Sequence, residues 1–456
     1  MIIKHTDMKK LLIYILFAAA VTAIRAQEPV ITVGQAIREA LGNRENIASA
    51  KTDYLIAKSQ TASAKKSLIP QLSVAYNFRY NFVSPSQIVP VGLFFPVPTE
   101  EKRPIRFGTA WQQSAGASLY IPLLDFYLLN RIKESGINER ISNVSLKIAE
   151  EELTTEVIKS YISVYSRELI LKSAIDDTVR SSNIRDNLYR RFGEGRVNKT
   201  ELNLALISHR KAVDAYENAL SELAREKLYI SFLTGLEPDR VLNSVFDYSF
   251  IDNTDILGRF TGQNSDSSYT LEQIRISGDL ISKQILSERG RLLPVVGIEA
   301  FAGGNQYTDR FDPLNTGSWY GSSYAGLSVR IPVAGGDISG NRIRQLKLKE
   351  KAISQNYNDE LKRTINKSLI LNEEIRQISR KIEAEAEVLD LYRENLSIYR
   401  ERFESGLLSA DEMLNYDLDY RNEKTRFREL NAELMLKKID AVRISGNIER
   451  LAGELK

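Results

Sequence analysis

The sequence predicts a mainly α-helical chain that also carries a membrane β-barrel segment, with one structural unit used twice. Three observations predict it. GASLYIP at Gly116–Pro122 returns as GLSVRIP at Gly326–Pro332, and RFGEGRVNKTEL from Arg191 returns as RFESGLLSADEM from Arg402. Four segments alternate apolar and polar residues at period two, the rhythm of a strand with one apolar face. Two stretches, 126–192 and 338–403, contain no proline and carry heptad-like apolar spacing. The matching copies keep their order, so each half reads as approach helix, strand, strand, long helix, tight turn and return helix. A unit used twice in this way usually cannot bury its apolar face alone.

In chain order, residues 1–26 read as a secretory signal peptide ending at Ala26. Lys9 and Lys10 precede the apolar run Leu11–Val21, which is too short for a spanning helix. Lys4, Lys9, Lys10 and Arg25 against Asp7 account for the formal net charge of +3. The remainder is close to neutral, and no basic stripe suggests nucleic acid as a partner. The chain has no cysteine, so neither disulfides nor an N-terminal lipid anchor is expected. No later run is apolar enough for a transmembrane helix, so a membrane crossing must use strands.

The strands follow. Leu72, Val74, Tyr76, Phe78, Tyr80 and Phe82 alternate with Ser73, Ala75, Asn77, Arg79 and Asn81. Trp111, Ala115, Ala117, Leu119 and Ile121 form the apolar set of the second strand. Val296, Ile298, Ala300 and Ala302, then Ala325, Leu327, Val329 and Ile331, repeat the pattern. Strands of about ten residues match a tilted bilayer crossing. Trp111, Trp319, Tyr80 and Phe82 share one end, as an aromatic girdle does. Pro122 and Pro332 are expected to end their strands, and Ser84–Gly108 and Gly303–Ser318 to be long loops. In the first of these, Phe94-Phe95 either packs the loop or folds over the mouth. The alternation alone also fits a half-exposed sheet in a soluble domain. Four lipid-facing strands cannot leave an edge open, whereas three chains supply about twelve and can close a barrel.

The helices come last. At about 1.5 Å per residue, a helix of roughly 65 residues is near 100 Å long. Ile375, Ile378, Ile382, Glu385, Leu389, Tyr392, Leu396, Tyr399 and Phe403 step by three and four, a seam with one charged interruption. Tyr416, Tyr420, Glu423, Phe427, Leu430 and Leu434 continue the rhythm on the return. Gly195 and Gly406 read as C-cap glycines. Asn198 with Glu201, and Ser409 with Glu412, have capping-box spacing. Two antiparallel coiled-coil hairpins with short, rigid tips follow.

On these residues the chain resembles the TolC family of outer-membrane efflux proteins over nearly its whole length past the signal. ITVGQAIREAL, AKKSLIPQLSV, the paired RF..G turns and the doubled IP after a strand carry the resemblance together. It implies a homotrimer with a twelve-stranded outer-membrane barrel in lipid and an α-helical periplasmic tunnel. The tips would dock onto a periplasmic adaptor, or membrane fusion, protein that links indirectly to an inner-membrane pump. Arg191, Phe192, Gly195, Arg402, Phe403 and Gly406 are the candidate docking residues. The organisation expected is a first repeat over 27–235 (β-hairpin 72–121, helical hairpin 126–235). An equatorial linker, 236–268, leads to a second repeat over 269–456 (β-hairpin 293–333, helical hairpin 338–450). The family pore narrows near the second tip. Glu412 and Asn415 match acidic ring positions there, with Asp411 and Asp419 as further candidates. Asn415 has lost the charge and Leu408 stands where a basic latch residue can occur. Glu412 already has a role as the capping acid, and the two roles are compatible.

An enzyme is not expected. Histidine occurs only at His5 and His209, and no metal cluster, nucleophile elbow or phosphate loop is present. No cofactor is implied. Acids four residues from Lys or Arg along the helices read as solvated surface. The leading expectation is an exit duct of a tripartite efflux or type I secretion system. The alternative is a periplasmic coiled-coil structural or adaptor protein without a membrane barrel.

Overall fold

The two rhythms of the sequence, period two and heptad, form separate elements in the computed structural model, which describes residues 30–90, 102–106, 108–252, 260, 268–333 and 336–455. In chain order these are β1 (Val30–Ile31), α1 (Val33–Asn43), α2 (Glu45–Lys66), β2 (Gln71–Tyr80), β3 (Ser86–Pro90), β4 (Lys102–Arg106) and β5 (Trp111–Leu124). Then come α3 (Phe126–Gly193), α4 (Lys199–Thr234), α5 (Pro238–Leu242), β6 (Val245–Phe246) and α6 (Ser249–Asp252). The second half holds α7 (Tyr269–Gly290), β7 (Val295–Thr308), β8 (Trp319–Arg330), α8 (Gly336–Glu404), α9 (Ala410–Ile444) and α10 (Ile448–Glu454). The helices α3 and α8 have 68 and 69 residues. No described helix is long and apolar enough to cross a membrane. Contacts group the chain into two units. One comprises 1–53, 143–273 and 357–456, and the other 54–142 and 274–356. The signal peptide and Phe94-Phe95 lie outside the described residues.

In the second unit the two hairpins merge into one four-stranded antiparallel sheet, in the order β2-β5-β7-β8. Register sets the faces. Leu72 opposes Leu119, Val74 opposes Ala117, and Tyr80 opposes Trp111. Ile121 pairs with Ile298 and Leu119 with Ala300, while Ile298 meets Leu327 and Val296 meets Val329. All four apolar rows therefore share one face, as the alternation predicts. Every residue of β2 is exposed, so this edge strand has no fully buried side chain within the single chain. On the opposite face the ring of Phe301 lies over Gly116 and the backbone closes in at Gly303. A Cβ at Gly116 would stand 2.5 Å from that ring, and one at Gly303 would stand 2.4 Å from Ala115 O. Aromatic cover of cross-strand glycines lets the sheet bend without losing packing.

A polar chain crosses the apolar face near its aromatic end. Gln113 shares that face by register, accepts from the Tyr76 hydroxyl and donates to Gln306 Oε1 at 2.8 Å. Gln306 in turn donates to Asp312 O at 2.8 Å. This draws the β7–β8 connection over the face, where Phe311 packs against Phe78 and Trp111. Each buried amide is thus satisfied.

The boundaries correct the sequence reading in four places. Phe82 lies beyond β2, which ends at Tyr80. β7 runs on to Thr308, because Gly303–Thr308 have β5 to pair with, so the loop expected at Gly303–Ser318 shortens to 309–318. Pro122 stands inside β5 rather than ending it, and a register shift between Pro122 and Leu124 accommodates its missing N–H. The Ser84–Gly108 loop contains a small hairpin of its own, β3 paired with β4.

The first unit buries its own core. Tyr161 on α3 is fully buried, and its hydroxyl lies 2.7 Å from both Ile31 O and Asp247 O. That ties the β1–β6 pair to the long helix, with Phe246, Tyr248 and Phe250 packed against the ring. Burial pushes the Tyr161 hydroxyl well above the ordinary tyrosine range.

Glu151 in this unit is 8% exposed. Burial lifts its carboxyl to about 7, nearby Arg443 opposes the rise, and Glu449 and Glu152 add to it. The folded chain therefore holds this proton more tightly than the unfolded chain, whose carboxyl titrates near 4.5. Its stabilising contribution is complete below pH 4.5 and is lost as pH rises through 7. Melting temperatures measured from pH 4 to 8 should fall more steeply for the wild type than for Glu151→Gln. Parallel profiles would show that Glu151 titrates normally.

Candidate functional site

Both helical turns are built by the same chemistry. Gly195 and Gly406 adopt φ of 70° and 74°, the left-handed region where glycine carries no Cβ penalty. At each turn two backbone bonds close the helix end: Gly195 N to Phe192 O and Arg196 N to Arg191 O, then Gly406 N to Phe403 O and Leu407 N to Arg402 O. This is the Schellman arrangement. Complete capping boxes open the next helices, at Asn198 with Glu201 and at Ser409 with Glu412. Each tip thus closes one helix and opens the next through its own backbone and capping side chains.

The repeated Arg-Phe pairs then diverge. The Arg191 guanidinium sits 4.7 Å from the Phe403 ring centroid and donates to Glu404 O at 2.9 Å, reaching from the first tip onto the second. Phe403 is buried beneath it, in a cluster with Leu188, Ala205, Leu396 and Met413. Phe192 is exposed, with the Lys199 ammonium over its ring. Arg402 points to solvent. An open cleft of about 500 Å³ lies between the turns, lined by Arg191, Arg196, Glu201, Phe403 and Leu408 among others. Of the six tip residues singled out in the sequence, Arg191, Phe403 and Gly406 line this cleft, while Phe192, Gly195 and Arg402 are not among its lining residues.

The candidate gate residues fall on one stripe. Asp411, Glu412, Asn415 and Asp419 are all exposed on α9. The opposite face carries a buried charge that sequence reasoning missed. Asp417 is 0% exposed and is ion-paired to Arg180 on α3 and, at 3.0 Å, to Arg421. Arg180 also binds Asp177 at 2.5 Å. Burial by itself would lower the Arg180 pKa, but Asp417 and Asp177 outweigh it and hold the guanidinium above its ordinary value. The available signal was a charged residue in an apolar slot: Ala410, Met413 and Asp417 continue one buried row. The seam drawn through Tyr416 and Tyr420 lies beside that row. Tyr416 stacks on Tyr399 with ring centroids 3.7 Å apart, and the hydrogen bond between them raises the Tyr399 hydroxyl.

His209 takes part in packing. Its Nδ1 lies 3.1 Å from Ser181 Oγ, while that hydroxyl donates its proton to Thr178 O. The serine proton is already committed to the backbone, which is unlike an activated nucleophile. Among the described residues no group of acids or histidine is arranged to hold a metal.

No family model and no curated protein matches the sequence. Solved structures do match in fold. The outer membrane protein VceC from Vibrio cholerae superposes with a TM-score of 0.70 at 13% identity, over 90% of this chain and 96% of that one. The Campylobacter jejuni CmeC outer membrane channel gives 0.71 at 15% identity, over 93% and 90%. The open state of the Neisseria gonorrhoeae MtrE outer membrane channel gives 0.66 at 14%, over 93% and 90%. The chain has the fold of these outer-membrane channels, the one that the sequence resemblance implies.

The Asp417 network makes a measurable demand. Removing one partner of a buried ion pair typically costs about 3–5 kcal/mol, because the other charge stays buried. Asp417→Ala should lower the unfolding free energy by an amount in that range, read as a lower denaturant midpoint at an unchanged slope. Replacing Asp177, Arg180, Asp417 and Arg421 together by apolar residues should recover much of the loss, because no charge of the network is then left buried alone. A single-mutant loss under about 1 kcal/mol would place the pair among solvated surface bridges.

Proposed function

We propose that the protein is a trimeric outer-membrane channel that serves as the exit duct of a tripartite efflux or type I secretion system. The observation that carries this reading is a fold shared with outer-membrane channels over about nine-tenths of the chain, joined to a sheet with a largely exposed apolar face on its edge strands β2 and β8. VceC, CmeC and MtrE are described as outer membrane proteins or channels. A bacterial outer-membrane location, with the helical part in the periplasm, and a non-enzymatic role follow for this chain on that reading.

Strand arithmetic supports the trimer. The sheet order β2-β5-β7-β8 is antiparallel throughout, so its edge strands β2 and β8 run in opposite directions. Joining β8 of one copy to β2 of the next keeps the alternation unbroken, and a ring of copies leaves no edge. Three copies supply about twelve strands, the closure that the lipid environment requires. Substrate would move passively through the duct, and an inner-membrane pump with its periplasmic adaptor would supply the energy. The tips, rigid and internally capped, suit docking to the adaptor, and the exposed stripe of Asp411, Glu412, Asn415 and Asp419 suits a cation-attracting constriction.

The deciding experiment is the mass of the detergent-extracted complex by light scattering with the micelle subtracted. About three chain masses per particle are expected. A water-soluble monomer would overturn the channel and leave the periplasmic coiled-coil protein as the better account. The tips have their own test. Gly195→Val and Gly406→Val force a β-branched residue into the left-handed region, at about 1–2 kcal/mol or more. Export should be abolished while trimers still assemble. Export that survives both changes would show that the tips do not dock.

A further inference from the structure

We infer that a mixed-charge cleft at one end of the sheet binds a phosphoethanolamine group, with the ammonium seated on its carboxylate floor and the phosphate held at its cationic rim. The cleft, of about 410 Å³, is lined by Tyr127, Arg131 and Glu134 of α3, Glu288 of α7, Arg291 just beyond it, and Arg342 and Lys349 of α8, with neighbouring side chains. Its place follows from the register. Leu124, the last residue of β5, pairs with Val296 near the start of β7, so Tyr127 and Arg291 stand just beyond the same end of the sheet.

The floor is acidic and only half satisfied. Glu134 is 3% exposed. Its Oε2 accepts from Arg131 at 3.0 Å, while Oε1 is buried with no hydrogen-bond partner among the described residues. Glu288 Oε1 accepts from Arg291 at 3.1 Å. Its Oε2 lies 3.8 Å from Arg342, too far for a hydrogen bond, and is buried without one. A buried carboxylate oxygen is stable only when a donor reaches it. The rim is cationic and reaches solvent: the Arg131 and Arg342 side chains are 57% and 52% exposed. Arg291 stacks on the Tyr127 ring, 4.1 Å from its centroid, and donates to that hydroxyl at 2.7 Å.

Charge decides the ligand class. Three arginines and a lysine against two glutamates leave an excess of positive charge, which repels a bare metal cation. An anion alone would face the unpaired carboxylate oxygens. A zwitterion meets both demands: a primary ammonium gives N–H donors to Glu134 and Glu288, and phosphate oxygens accept from the guanidinium forks. A quaternary ammonium has no N–H to give, so phosphocholine is excluded by the same argument. The volume suits a headgroup-sized ligand. The group can come from a phospholipid or from a soluble aminophosphate. The lipid source rests on the outer-membrane reading, while the soluble source does not.

The full-length protein in detergent would be titrated calorimetrically with glycerophosphoethanolamine and glycerophosphocholine. It would then be studied by native mass spectrometry after reconstitution with phosphatidylethanolamine or phosphatidylglycerol. Binding of the ethanolamine probe, with about a tenfold loss in Glu134→Gln and in the rim variant Arg342→Ala, supports the site. Retained phosphatidylethanolamine then identifies a lipid source, and its absence a soluble one. Neither probe nor lipid binding, equal affinity for the choline analogue, or unchanged affinity in both correctly folded variants would overturn the proposal. The soluble titration reads the cleft even if the protein proves to be a water-soluble monomer, so the two failures are distinguishable.

Discussion

A β-strand presents backbone donors and acceptors along both sides, and those groups must be paired wherever water is absent. That constraint bears hardest on β2 and β8, the two edges of the sheet. β2 is exposed at all ten residues, and of its apolar row Leu72 and Val74 stay 70% and 80% exposed, while Phe311 covers only the Phe78 end. An open, apolar, ten-residue edge in water invites uncontrolled association. Neither edge strand contains a lysine or a proline to discourage such pairing. Closure with further copies, as proposed, would satisfy backbone and side chains together. The rest of the molecule is consistent with it, because a duplicated unit that stops at four strands has no use for them alone.

The tips show the opposite economy. There the helix ends are closed within a few residues, through Schellman bonds on one side and a capping box on the other. Duplication fixed this local chemistry in both copies, since glycine at a positive φ and an acid three residues past the cap are needed for the turn itself. What lies beyond the turn was free to diverge. Arg191 became a bridge to Phe403 and Glu404, whereas Arg402, its counterpart, stays in solvent. The pair of tips is thus one asymmetric surface rather than two equivalent ones.

The same distinction explains how much of the protein could be read from sequence. Turns, caps, helix lengths and strand parity depend on neighbours within a few residues, and those were legible: Gly195, Gly406, Asn198 and Ser409 act as their spacing suggests. Properties that depend on distant partners were not. The length of β7 depends on β5 being beside it. Pro122 looks like a strand end until the β5–β7 register shows a bulge that tolerates it. Gln113 reads as an interruption of an apolar row, and only Tyr76 and Gln306 make it a satisfied link. Asp417 is the hardest case, since a lone acid in a charged helix looks solvated. Its burial is visible only once Arg180, some 237 residues earlier in the chain, is placed beside it.

That buried acid also gives meaning to the exposed ones. Asp411, Asn415 and Asp419 occupy the side of α9 facing away from the Asp417 network. On a helix, faces are fixed relative to one another. Turning α9 about its axis to re-aim the exposed stripe therefore drags Asp417 away from Arg180. A surface ion pair would resist this weakly, because water takes over each charge as it leaves. A pair with Asp417 fully buried and the Arg180 side chain 14% exposed resists more strongly, because water cannot take over the lost contact and each charge keeps only its neighbour on the same helix, Arg421 or Asp177. The orientation of the acidic stripe is accordingly set by a contact on the far side of the helix, and the residues that face solvent are not the ones that hold it in place.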